Sequence, residues 1–486
     1  MIFLVGSKID RANIHASLGK PEYSYYFLLR EFLPALERLG RVVVVESAQQ
    51  IDGLFDQYRA DGHEVVFLSF SPPHQTPLGF RCPTIPLFAW EFDSLPSVNW
   101  EGDPRNDWRY VFQRVAGAIA TSSAAAALVR QEMGESYPVI ALPAPTWERF
   151  KQLSIVDTGP HLGPRQFTFG GIVFDSPLLG LSADGLVQPP QPVVPPALTP
   201  ELQPDAPPEP LPPSALEMTV ALLRGWWREM FPPAISEVAE VVVAEPAPVE
   251  PPTLPKLDIT VASVVFTTVL NPGDARKNWL DIITAFCWTF KDTTDATLIV
   301  KMTHHDLEHY RVVLMTLLSR LAPFQCRVLV LHGFLDDAEY LQLIEVSNFY
   351  VNASTCEGLC IPLMEFLSCG NPAIAPKHTA MADYLDSDMA FLLEFGIEPC
   401  CWPHDPTGML FSHFHRVSWQ SLANAYGTAY LVAKTQPEKY RAMSRHALAA
   451  MPAYCAGDHV SEKLAAFLQN ISGCNNKNML MESAGA

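Results

Sequence analysis

The sequence is poor in basic residues. Its 33 lysines and arginines face 52 aspartates and glutamates, for a formal charge of −19 over 486 residues. That balance argues against a broad nucleic-acid-binding face and against a generally basic membrane surface. It still allows a phosphate-bearing ligand, which needs only one local basic pocket. Long apolar runs are missing too: no stretch of about 18 apolar residues occurs, so no transmembrane helix is expected. The opening "MIFLVGSKID" has no basic region before its apolar run and reads as a first strand, not a signal peptide. There is no paired Cys-x-x-Cys, and ten cysteines in so long a chain do not make a disulfide scaffold. Cys287, Cys326 and Cys369 sit in apolar runs, where a thiol behaves as a small hydrophobe. A cytoplasmic protein fits, with peripheral attachment at the inner membrane face as the open alternative. Neither a Gly-x-Ser-x-Gly elbow nor a Walker-type loop is present, which disfavours a serine hydrolase and a P-loop nucleotidase.

What is present is a repeated strand–helix alternation. "MIFLVG", "RVVVVE", "EVVFLSF", "TIPLFAW", "GAIATSS" and "YPVIALP" read as buried strands, with "PEYSYYFLLREFLPALERLG" and "SSAAAALVRQEMG" as helices. The pattern restarts at "ITVASVVFTTVL" and continues through "ATLIVKM", "CRVLVLHGF", "NFYVNAS", "PAIAPK" and "MAFLL". Alternation of this kind predicts an α/β protein with parallel sheets covered on both faces. The expected organisation is an N-terminal Rossmann-like, acceptor-binding domain over 1–150 and a connector over 151–257. A C-terminal Rossmann-like donor domain then covers 258–416. Helices over 417–486 pack back across the domains and finish in a disordered end.

The connector differs in composition. "QPPQPVVPPALTPELQPDAPPEPLPP" is too proline-dense for a core element and reads as an extended interdomain insertion. Residues 201–250 carry nine acidic and two basic residues, net −7, so much of the negative charge sits there. Residues 214–231 inside it predict one amphipathic helix, capped by Ser214, with Leu216, Val220, Leu223, Trp227 and Met230 on one stripe. Such a helix docks on its own protein or serves as a protein or peripheral membrane anchor. Its only basic residues, Arg224 and Arg228, weaken the membrane case.

The stretch "STCEGLCIPLMEFLSCGNP" holds two glutamates, Glu357 and Glu365, in an otherwise apolar segment. Glu357 is expected in the loop at a strand's carboxyl end and Glu365 in the helix that follows. In open α/β sheets that edge binds ligands, and a helix N-terminus there suits a diphosphate. Gly358 lets the backbone come close to the ligand, and Pro362 is tolerated in a first helical turn. Carboxylates accept hydrogen bonds from sugar hydroxyls, so two of them beside a phosphate site suggest a nucleotide sugar. Charge balance calls for a cation, and "NPGDARKNW" supplies Arg276 and Lys277 on the same edge.

At this point the residues resemble a known family. "STCEGLCIPLMEFLSCGNPAIAP" is similar to the glutamate–seven–glutamate motif of retaining GT-B glycosyltransferases, family four (group 1) in particular. "RKNWLDIITAF" resembles that family's basic motif, and "HGFLDDAEYLQLIEVSNFYVNAS" resembles the segment joining the two. "FAWEFDSLPSVNW" resembles a Trp-Glu…Pro…Trp signature of some polysaccharide-assembly members. The resemblance covers 258–395 best and does not reach the Pro-rich region. It implies two Rossmann-like domains facing across a cleft, and sugar transfer with retention from a nucleotide sugar to a glycan or lipid-linked acceptor. Bacterial surface polysaccharide synthesis is the implied setting. Lys277 would neutralise the diphosphate and Glu357 would lie beside the transferred sugar. The backbone of Gly358, Leu359, Cys360 and Ile361 would approach sugar and phosphates, Glu365 the ribose, and Gly333 and Phe334 the base. Arg276 would assist, since Asn271 stands where many relatives carry an arginine. Glu91 and Asp93 stand where many relatives carry a histidine and would meet the acceptor, with Gly19 in a blurred glycine loop. No cofactor and no metal are implied.

Blander readings exist. Cys356, Cys360 and Cys369 fit packing better than zinc ligation. His304, His305 and His309 in "THHDLEH" fit a helix-start loop better than a metal site. Two other functions stay open: a catalytically silent GT-B scaffold recruiting partners through the Pro-rich insertion, and a sugar-nucleotide epimerase or phosphorylase on the same fold.

Overall fold

The computed structural model describes residues 1–7, 23–99, 102–153, 159–184, 256–304, 307–402, 408 and 410–484. Gly19, His305 and the 214–231 helix lie outside the described residues. Six strands open the chain: β1 Ile2–Ser7, β2 Arg41–Val44, β3 Val65–Phe70, β4 Thr84–Phe88, β5 Ala118–Ala120 and β6 Val139–Ala141. They form one parallel sheet in the order β2-β1-β3-β4-β5-β6. Their apolar runs are buried on both faces because helices cover both. The helix Tyr23–Leu39 lays Leu28, Phe32 and Leu36, four apart, in one core with Phe3 and Val5. Gly40 closes it at a point where a Cβ would come 2.2 Å from the carbonyl oxygen of Met1. The helix Ile51–Ala60 had no counterpart among the helices read from the sequence.

The second half holds β7 Arg165–Phe169, β8 Ile172–Asp175, β9 Leu257–Val261, β10 Val264–Leu270, β11 Ala296–Met302, β12 Arg327–His332, β13 Phe349–Val351, β14 Ala373–Pro376 and β15 Ala390–Leu393. Seven of these make a sheet ordered β15-β14-β13-β10-β11-β12-β8, parallel except for β8. β7 pairs with β9 in a separate antiparallel ribbon. The stretch read as one strand from 259 to 270 breaks at Ser263, whose φ of 68° turns the chain, so β9 and β10 enter different sheets.

These pairings change the reading of the connector. Residues 165–175 belong to the second half, with β8 zipped along β12 and an Arg327–Asp175 ion pair at 2.7 Å. β8 and β9, which flank the Pro-rich segment, therefore both lie in the second half. The segment is inserted within that half, not strung between the two.

A hairpin, β16 Phe395–Cys401 and β17 Phe411–Val417, follows the second sheet. The helices Trp419–Thr435 and Pro437–Cys455 then lead to Gly457–Ala484, which returns to the first half. Ser461 donates to the carbonyl of Ala35 at 3.0 Å, and Arg38 pairs with Asp458 at 2.7 Å. The last helix runs to Ala484, where the sequence suggested a disordered end. A single buried core includes Phe88, Trp90 and Trp108 of the first half and Tyr350, Leu363 and Met364 of the second. No helix among the described residues is long and apolar enough to cross a membrane.

Candidate functional site

The carboxyl edge of the second sheet gathers the loops after β10, β11, β12 and β13. The edge expected to carry Arg276, Lys277 and Glu357 does bring Lys277 to Glu357. Ala275–Lys277 is a tight 3-10 turn. The helix Trp279–Thr289 begins only after Asn278, which is left-handed at φ 49°. This turn lets the adjacent side chains of Arg276 and Lys277 reach different partners.

Lys277 donates from Nζ to both carboxylate oxygens of Glu357, at 2.7 and 2.8 Å. Glu357 is 3% exposed and accepts further bonds from Ser354 Oγ at 2.6 Å and Asn352 Nδ2 at 3.1 Å. Its backbone N–H donates to Thr379 Oγ1 at 3.0 Å. Burial opposes ionisation here, but the Lys277 and Arg276 charges and the hydrogen bonds outweigh it and hold the carboxyl down at about 2. Asn352 and Ser354, in the "NAS" before the motif, and Thr379 were not singled out from the sequence. Their short polar side chains at a strand's end were the available signal.

Arg276 sits between two carboxylates, Glu91 Oε1 at 2.8 Å and Asp274 Oδ2 at 2.6 Å. Burial pushes Glu91 upward, with Arg276 pulling the other way. Glu91 thus touches the Ala275–Lys277 turn of the second half. It is held there by its neighbour Trp90, whose ring packs at 4.5 Å from Trp108 and 5.4 Å from Trp402. Asp93 is likewise tied across the halves, accepting from Ser412 Oγ at 2.8 Å and the N–H of His413 at 2.9 Å.

Gly358 was expected to give a ligand room. Instead the first half fills that space: a Cβ at Gly358 would lie 3.0 Å from Ala89 Cβ and 3.1 Å from the nitrogen of Trp90. Its carbonyl accepts from Thr121 Oγ1 at 2.7 Å. The carbonyl of Leu359 accepts from Tyr384 at 3.1 Å. Cys360 adopts a left-handed φ of 64° and starts the helix Ile361–Ser368, which has no side-chain N-cap. Pro362 has no N–H and the N–H of Leu363 donates to the Cys360 carbonyl at 3.1 Å, so the first turn leaves the N–H of Ile361 toward the loop. Cys360 Sγ accepts from Asn352 Nδ2 at 3.2 Å. A cavity of about 30 Å³ is lined by Leu270, Lys277, Asn352, Glu357, Cys360 and Pro362, room for roughly one water.

Glu365 lies on the same helix but turns into the protein, accepting from Tyr340 Oη at 2.5 Å. Burial, with Glu31 adding to it, pushes its carboxyl up to about 7 against the pull of Tyr340 and Arg149. Gly333 follows β12, its N–H donating to Met302 O at 3.2 Å and its Cα facing Phe169 and Gly171. Phe334 follows it. Asn271 Oδ1 accepts from the N–H of Gly273 at 3.0 Å, folding the loop after β10. Cys356, Cys360 and Cys369 are buried with free thiols.

No protein-family model matches the sequence. No curated protein matches it either. Solved structures do. HepE of Anabaena in complex with UDP aligns with 13% identity over 96% of this chain and 99% of its own, at a TM-score of 0.50. Its complex with UDP and glucose gives 12% identity, 97% and 100% coverage, and the same TM-score of 0.50. The fold is GT-B. A glycosyltransferase from Rickettsia africae aligns over 97% of this chain and 98% of its own at 10% identity and a TM-score of 0.49. Within the GT-B fold, Lys277, Glu357 and the open start of Ile361–Ser368 share one loop cluster, with Glu91 reaching it from the other half.

Proposed function

We propose that the chain is a retaining glycosyltransferase of family four, moving a sugar from a nucleotide donor to a glycan or lipid-linked acceptor. The observation that carries this reading is the Lys277–Glu357 pair beside an uncapped helix N-terminus at a parallel sheet's carboxyl edge. An ionised carboxylate in that position can accept hydrogen bonds from sugar hydroxyls. The lysine, with the N–H of Ile361 at the helix start, can hold the diphosphate. During transfer the bond from the anomeric carbon to the phosphate oxygen breaks and one to the acceptor oxygen forms on the same face. The acceptor proton passes to the departing diphosphate. Lys277 and the Ile361 N–H then stabilise the negative charge that develops on that group, and the protein's share of catalysis is this stabilisation together with positioning. No metal enters the scheme.

The cavity at Glu357 is far smaller than a nucleotide, and Gly358 abuts Ala89 and Trp90. Donor binding therefore begins with the halves parting, and closure brings Glu91 and Asp93 to the acceptor. That HepE was solved with UDP and with UDP and glucose supports UDP as the first probe. Bacterial surface polysaccharide assembly in the cytoplasm is the setting we favour.

Calorimetric titration of UDP, GDP and ADP into wild type, Lys277→Ala and Glu365→Ala tests this. One nucleotide should bind near 1 μM, about −8 kcal/mol, and both variants should lose at least tenfold. If none of the three binds, the donor site is lost and the silent-scaffold reading takes its place.

A further inference from the structure

Glu357 is held through its backbone as well as its side chain. Its N–H donates to Thr379 Oγ1 at 3.0 Å, and its carbonyl accepts from the N–H of Ala380 at 3.2 Å. Both partners lie in the short turn Thr379–Asp383 that follows β14. Thr379 has a φ of 46°, in the left-handed region that a β-branched residue rarely enters. Such strain persists only where the surroundings over-determine it, and it gathers at ligand clamps and active sites.

His378 supplies part of that restraint. It is 3% exposed, and its Nδ1 lies 3.2 Å from Thr379 Oγ1. Its ring stacks on that of His415 in β17, with centroids 4.3 Å apart and planes 14° from parallel. Phe395 meets both rings edge-on at 5.0 Å. The backbone N–H of His415 donates to the Thr355 carbonyl at 2.9 Å. Residues 355–357 are thus gripped by two segments, and the imidazole stack joins the two.

The hydrogen bonds also assign the ring's proton. A backbone N–H can only donate, so Thr379 Oγ1 accepts from Glu357 and has its own proton left to give. With a proton on Nδ1, that hydroxyl proton would have no acceptor among the described residues, and the Nε2 lone pair would have no donor. With the proton on Nε2, the hydroxyl donates to Nδ1 and a single group stays unmet. Burial, with His415 adding to it, pushes the ring down to about 3 against the pull of Glu357 and the Ser354 carbonyl, so it is neutral at physiological pH.

We propose that His378 is a positioning residue for glycosyl transfer: through Nδ1 it orients the Thr379 hydroxyl, which fixes the backbone of Glu357 and so the place of its carboxylate beside the transferred sugar. The inference rests on the site reading above. Holding the nucleotide is left to Lys277 and the N–H of Ile361, so the effect falls on the rate of transfer and not on nucleotide affinity.

Substitution separates the two ring nitrogens. In His378→Asn the amide oxygen stands where Nδ1 was, and in His378→Gln the amide falls at the place of Nε2. Both lose the ring stack, so their thermal midpoints should fall together. Thr379→Val keeps the shape, removes the hydroxyl and leaves the stack alone. The readout is release of nucleotide from UDP-glucose, GDP-mannose or ADP-glucose, whichever matches the nucleotide that binds, with water as acceptor. His378→Asn should keep kcat within about threefold of wild type. His378→Gln and Thr379→Val should lose about tenfold or more in kcat while KM stays within about threefold, the mark of an interaction made in the transition state. Equal losses in His378→Asn and His378→Gln overturn the inference, since the ring would then serve packing alone. Wild-type kcat in His378→Gln or in Thr379→Val overturns it as well. Either result leaves the donor site standing. If wild type binds a nucleotide but releases none from its sugar, the inference falls with the transfer chemistry. If it binds none of UDP, GDP and ADP, the donor-site reading fails first and this one with it.

Discussion

Arg276, in the turn after β10, holds Glu91 of the first half at 2.8 Å, with both side chains largely withdrawn from water. The contact occupies the guanidinium that a donor diphosphate would use, so nucleotide binding must compete with it. Glu91→Gln removes the charge and keeps the shape. UDP should then bind about three- to tenfold more tightly, in line with about 1 kcal/mol for one hydrogen-bonded contact. Calorimetry on the variant decides the matter, and an unchanged or weaker affinity would mean that the clasp does not oppose the donor.

Gly358→Ala probes the fit of the halves. Its added carbon would lie 3.0 Å from Ala89 Cβ, in a place where neither partner is a flexible chain end. Overpacking of this kind costs about 1–3 kcal/mol. The expected result is a larger radius of gyration in X-ray scattering and a lower thermal midpoint. A variant with wild-type scattering would show that the contact yields without opening the protein.

Lys277→Ala leaves Glu357 ionised, buried and without its cation, which should cost about 3–5 kcal/mol. Adding Glu357→Gln should recover most of that in denaturant unfolding. The pair also sets an acid dependence. Glu357 is held at about 2 against an ordinary 4.5, so its contribution is complete above pH 4.5 and is lost as pH falls toward 2. Wild type should lose stability over that window more steeply than Glu357→Gln.

Glu365 behaves in the opposite sense. Its folded value of about 7 lies above the ordinary 4.5, so the folded state holds the proton more tightly. Its contribution is full below pH 4.5 and fades as pH rises through 7. Glu365→Gln should therefore stabilise the protein at pH 8, by on the order of 1–3 kcal/mol, and change little at pH 5. Melting curves at the two pH values check this, and equal shifts at both would contradict the assignment.

Much of the fold could be read from the sequence because buried parallel strands are written as apolar runs. "IFLVG", "VVFLSF" and "ATLIVKM" need no partner to be recognised. "RQFTFGGIVFD" was not recognised as a strand pair, because polar residues interrupt it and a proline-rich tract follows. Its partners, β9 and β12, lie far along the chain. The site divides in the same way. Glu357 and Lys277 stand out by residue type and spacing. The bond between them depends on the turn at Ala275–Lys277 and on Asn278 being left-handed, which no local pattern announced.

The placement of the Pro-rich segment has a mechanical consequence. A tether strung between two moving bodies sets how far and how fast they separate. This one departs from β8 and returns at β9, with both anchorages in a single body. Its length, charge and proline content are thereby uncoupled from the spacing of the two halves. Evolution can lengthen it, load it with acid or trade it for another sequence, and the covalent link between the two halves is left to the chain between Phe150 and Arg165 and to the returning C-terminal helices.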